Sequence, residues 1–205
     1  MTTATVVCSI IALLFFFILG STYQIFIKQK ESGLLHLLLA FMFLFWLPLP
    51  YTVQKTLEEE GGLAVGTLFG TVSFFIFVIT MVFQAGHLSY AVKHAQDHAQ
   101  RWEERNDWML NGLLGGTAEL FAGFLKGIWT IFLTVAFFVN HQLVMGTLGI
   151  VYGLVGIIYL LLLVNQTSVR EMPLLDKLYR KLSFIFFNVE TASWNTALSI
   201  WLVLR

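Results

Sequence analysis

Two ionisable residues sit where an apolar sequence rarely puts them. Lys126 lies about nine residues into one apolar run, and Glu190 lies at a similar depth in another. At 1.5 Å rise per residue, each would be roughly 13 Å into a hydrocarbon layer ~30 Å thick. An isolated charge at that depth costs about 3 kcal/mol or more, so it normally faces protein, water or an opposite charge. The pattern predicts that Lys126 and Glu190 pair or share a wet cavity. Such an arrangement suits an ion or solute site near the midplane of a bilayer.

The surrounding polar residues fall on helical faces. Glu119, Gly123, Lys126 and Thr130 share one face of the first of these runs. In the other, Asn188, Thr191, Asn195 and Ser199 share a face, while Glu190 projects from a different side near Trp194. A third run carries Ser73, Thr80, Gln84 and His87 within a narrow arc. The expected substrate or ion pathway is therefore Lys126 and Glu190 at the midplane with Glu119, Asn188 and Asn195 nearby, and Ser73, Thr80, Gln84 and His87 as an inner vestibule. The competing explanation is interhelical glue, each uncharged contact contributing ~0.6 kcal/mol on average.

Histidines raise a separate chemistry. His94 and His98 stand at i and i+4, a spacing that one metal ion can bridge on a helix. The zincin signature needs a glutamate directly after the first histidine, and Ala95 stands there. His87 or His36 would have to add a third nitrogen. Solvated or headgroup-facing histidines on a juxtamembrane helix explain the same pattern without a metal, so neither metal nor haem is expected. Histidine also titrates near neutral pH, which would let these residues gate by pH.

The elements that must position these residues are long apolar runs. The chain has 205 residues, 58% hydrophobic and 12% charged, against ~25% charged in an ordinary soluble domain. Twenty phenylalanines could not be hidden from water in a soluble fold this size. Six runs, at about 4–27, 34–53, 63–86, 117–140, 142–164 and 182–204, are each long enough to cross a bilayer. The first is too long for a signal-peptide core and has no basic residues before it. Pro48 and Pro50 should bend or end the second. The expected fold is all-α: one transmembrane domain of six helices, with the third continuing as a helix over 85–110 on the cytoplasmic side. A short amphipathic piece at 171–181 should lie at an anionic inner leaflet.

Charge sets the orientation. Lys28, Lys30, Lys93, Arg101, Arg105, Arg170, Lys177, Arg180 and Lys181 fall in the segments after the first, third and fifth runs, and only Lys55 and Arg205 fall opposite. The positive-inside rule places 28–33, 87–116 and 165–181 in the cytoplasm and both termini outside, in a plasma membrane or bacterial inner membrane. Glu58–Glu60 lie on the outer side, as a surface loop or a cation-concentrating entrance.

Within lipid, small residues must bring helices together. Gly146, Gly149, Gly153 and Gly156 form one stripe, and Gly66 with Gly70 and Gly123 with Gly127 repeat the motif. Tight packing between neighbouring spans is the first expectation, with homodimerisation or a glycine-opened cavity as alternatives.

Several classes drop out. Zero formal net charge gives no basic field for nucleic acid. The single Cys8 rules out a disulfide framework and any multi-cysteine metal site. There is no phosphate loop, dinucleotide fingerprint or assembled nucleophile–base pair, which argues against an enzyme. Passage of a small solute or ion through the bundle is the leading expectation. A non-catalytic subunit, assembly factor or immunity-type membrane protein, docking through the helix at 85–110, is the second. A histidine-based metal or haem protein is the third.

Overall fold

The computed structural model describes residues 2–57, 62–94, 99–170, 172–182 and 184–205, and the described residues are helical almost throughout, with no strand. The acidic Glu58–Glu60, Asp97 and His98 lie outside the described residues. In chain order the helices are α1 (Thr2–Lys28), α2 (Ser32–Trp46), α3 (Leu49–Leu57), α4 (Gly62–His94) and α5 (Ala99–Asp107). A π-helix at Trp108–Ala118 leads into α6 (Glu119–Val139), followed by α7 (Leu143–Thr167), α8 (Pro173–Lys181) and α9 (Phe184–Val203).

Five of these stretches are long and apolar enough to cross a membrane: Thr3–Lys28, Ser32–Leu57, Gly62–His94, Glu104–Val139 and Leu143–Thr167. Their outer faces carry exposed Phe17, Leu68, Phe75, Val135, Val144 and Leu154. Such an apolar exterior fits hydrocarbon and would aggregate in water. The sixth expected span, α9, has the length but is not among the five. Asn188, Glu190, Thr191, Asn195 and Ser199 dilute its apolar content, and the last four of these are buried against the other helices.

Two local features follow from residue chemistry. The second apolar run breaks between Trp46 and Leu49, where Pro48 has no N–H to continue the α2 ladder. The turn from α6 to α7 is closed by His141 in the left-handed region, φ 57°. Gln142 N–H donates to Phe137 O and His141 N–H to Phe138 O, which caps the carbonyls at the end of α6.

Residues 95–98 of the expected helical extension over 85–110 lie outside the described residues. Residues 85–94 do continue α4, but α5 joins α6 through the π-helix. That segment winds wider than an α-helix, and Thr117 Oγ1 reaches back five residues to Gly112 O. Gly115 is required there, because an added Cβ would run into the Leu110 carbonyl.

Small residues set the close approaches. Gly127 and Gly156 put α6 and α7 backbone to backbone, a Cβ on either lying about 2.5 Å from the other's Cα. Gly66 receives Phe132 and Gly70 receives Trp129 where α4 crosses α6. Phe43 of α2 stacks on Phe77 of α4 at 4.6 Å. Thr5 of α1 and Thr52 of α3 share a buried hydroxyl contact of 2.7 Å. The glycine stripe of α7 is thus used within one chain. A dense core of Trp46, Trp129, Trp194, Phe74 and Phe137 fills the half of the bundle away from the 28–33 turn.

Candidate functional site

Helix α6 presents Lys126 and α9 presents Glu190, and the two side chains are bonded to each other. They are 1% and 6% exposed. The Lys126 ammonium also donates to Thr191 Oγ1 at 2.7 Å. Glu190 Oε2 additionally accepts from Tyr159 Oη at 3.1 Å and from Thr191 Oγ1 at 3.2 Å. The ammonium lies 5.5 Å from the centre of the Tyr159 ring. One carboxylate oxygen therefore gathers three donors, while Oε1 is buried with no protein donor. Desolvating two charges is offset only when both are paired and hydrogen-bonded, and this cluster satisfies that condition for the ammonium more fully than for the carboxylate.

Tyr159 is positioned by glycine. Its ring lies over Gly123, where a Cβ would come within 2.5 Å of it. Gly123 is one helical turn before Lys126, so the missing side chain on α6 admits the phenol beside the ion pair.

Next to this cluster is a cavity of about 390 Å³. Thr191 and Tyr159 form part of its wall, so the ion pair is one residue away from the cavity. Gln84, Glu119, Asn188 and His36 supply further polar groups. The rings of Tyr23, Phe43, Phe77, Tyr179 and Phe187 make up much of the rest. The cavity lies toward the end of the bundle where α1 meets α2 and where the π-helix and α8 sit, the end that carries Lys28, Lys93 and Lys177. At its deep end Phe43 joins the dense aromatic core.

Within the wall, Gln84 Nε2 donates to Glu119 Oε1 at 2.6 Å, linking α4 to the start of α6. His36 Nδ1 donates to Ser32 O at 2.7 Å. Burial, and secondarily the nearby Glu119 carboxylate, push the Tyr179 hydroxyl above its ordinary pKa.

The other expected residues separate. Ser73 donates to Ala122 O at 2.7 Å, a bond between α4 and α6. Thr80 is buried within the bundle, and Asn195 is fully buried on α9. Of the stripe on α4, Gln84 alone is part of the cavity wall; His87 is half-buried outside it. His94 is exposed and stacks on Tyr90 at 4.0 Å. Among the described residues no three histidine, cysteine, aspartate or glutamate side chains converge on a point where a metal could sit.

Glu190 and Thr191 do not serve different neighbours, as their helical angles suggested. The flexible Lys126 side chain ends between them and takes both. Sequence reading passed over Tyr159, although it continues the α7 glycine stripe three residues after Gly156. It also passed over the aromatic wall, which looks like ordinary apolar sequence.

No known protein family, no curated protein and no solved structure matches this chain.

Proposed function

We propose that this is an integral membrane protein that passes a small solute through its helical bundle. In this reading α9 is a sixth span. Its 20 residues reach ~30 Å, enough for a hydrocarbon core, and its polar groups turn inward where lipid does not meet them. The basic segments face the cytoplasm and the cavity opens to that side, with both termini outside.

One observation carries the reading: a cavity with convergent polar groups lies one side chain away from a buried ion pair at depth in the bundle. Intramembrane ionisable residues mark pathways and binding sites more often than they serve as packing. The aromatic core beyond Phe43 is the barrier a solute would have to pass, so passage requires helices to rock and open it in turn.

The test is two-sided accessibility. In a Cys8→Ser background, Phe187→Cys places one thiol in the cavity wall. The reconstituted protein, in known orientation, is exposed to a membrane-impermeant thiol reagent from either side. Passage predicts fast modification from the side of the basic segments and slower modification from the other. Modification from the basic side alone overturns passage and leaves a one-sided binding pocket.

A further inference from the structure

We propose that the cavity binds a small organic cation with an apolar or aromatic body, its ammonium on Glu119 and its body against Phe43, Phe77 and Phe187. This rests on reading the cavity as a solute site, and it names the chemistry that site selects.

Charge is the first argument. Among the described residues, Glu119 is the one carboxylate in the wall, and no lysine or arginine is part of it. The Lys126 ammonium, behind Thr191 and Tyr159, is committed to Glu190, the one ion pair among the described residues. The bond that Glu119 receives from protein comes from a neutral donor, Gln84 Nε2. A half-buried carboxylate in a low-dielectric wall is poorly compensated by one neutral donor and is stabilised by an incoming cation. An anionic solute would meet the Glu119 carboxyl with no lysine or arginine among the described wall residues to pair with it.

Shape and surface are the second argument. The volume of about 390 Å³ falls in the usual range for small-molecule sites. Aromatic rings from six helices are part of the wall, and ring faces attract a desolvated ammonium while also burying an apolar body. His36, the one titratable nitrogen among the described wall residues, uses Nδ1 to donate to Ser32 O, so that atom is not turned on the solute.

The test compares three probes of similar shape on the purified full chain at pH 7: 2-phenylethylamine, 2-phenylethanol and 3-phenylpropanoate. Binding is read by calorimetry. The amine should bind at least about tenfold more tightly than the alcohol, and the carboxylate most weakly. Glu119→Gln, which keeps a partner for Gln84, should erase the amine's advantage and leave the alcohol's affinity nearly unchanged. Equal affinity for amine and alcohol, tighter binding of the carboxylate, or no saturable binding of any probe overturns the proposal, and the wild-type comparison alone suffices for that. Amine selectivity with one-sided labelling at Phe187→Cys keeps this inference and defeats passage. Two-sided labelling without amine selectivity does the reverse.

Discussion

Lys126 on α6 and Glu190 on α9 are bonded to each other across the bundle, and Thr191 and Tyr159, which hydrogen-bond to the pair, are part of the cavity wall. The pair therefore has two consequences. It ties the most polar of the long helices to its neighbours, and it lets any displacement of Thr191 or Tyr159 at the cavity wall be felt by a buried charge.

Breaking that pair from one side should be worse than removing it. Lys126→Met leaves the Glu190 carboxylate buried with only hydroxyl donors, and Glu190→Gln leaves the ammonium without its counter-charge. Each single variant should lose about 3–5 kcal/mol of stability. The double variant should recover most of that loss, because no unpaired charge remains. Unfolding in mixed micelles, analysed as a double-mutant cycle, measures it. Additive losses would show that the two residues do not act on each other.

Tyr159 separates hydrogen bonding from packing. Tyr159→Phe removes the 3.1 Å bond to Glu190 but keeps the ring over Gly123. Lys126 and Thr191 still hold the carboxylate, so the loss should be about 1 kcal/mol. Tyr159→Ala also empties the space between Gly123, Leu162 and Phe187, and should cost about 3–5 kcal/mol. Similar losses for both variants, by the same unfolding assay, would mean that the hydroxyl rather than the ring holds this corner together.

Apolar runs made the helices legible, because hydrocarbon demands both the length and the composition. Pro48 made the break after α2 legible for an equally local reason. The meeting of Lys126 with Glu190 was legible from cost alone, since neither charge could be left to lipid. Legibility stopped where winding and rotation matter. The π-helix at Trp108–Ala118 changes the phase of the chain before α6 by an amount that no 3.6-residue count anticipates. The cavity is defined by rings, and rings in an apolar run carry no sign of whether they face lipid, core or solute.

The glycine stripe of α7 is not uniform. At Gly156 an added methyl would meet the Gly127 backbone, which cannot yield without separating α6 from α7. At Gly153 the nearest atom is Ile131 Cγ1 at 3.4 Å, a side chain that can turn aside. Gly156→Ala should therefore cost about 2 kcal/mol or more. Gly153→Ala should stay within about 0.5 kcal/mol of the parent. Thermal unfolding of the two single variants checks the order. A larger loss at Gly153 would mean that these helices cross at a different point.

Ser73 decides how much of the α4 polar stripe belongs to a pathway. Its hydroxyl donates to Ala122 O from a fully buried position, about three helical turns from the cavity residue Gln84. That geometry ties α4 to α6 and offers nothing to a solute. Ser73→Ala should lower stability by about 0.6–1.7 kcal/mol, the scale of a buried interhelical hydrogen bond. It should leave both the labelling rate at Phe187→Cys and the affinity for phenylethylamine unchanged. A variant of undiminished stability with slowed labelling from the outer side would place Ser73 on the route instead. It would also mean that the barrier opens along the α4–α6 contact and not along α9.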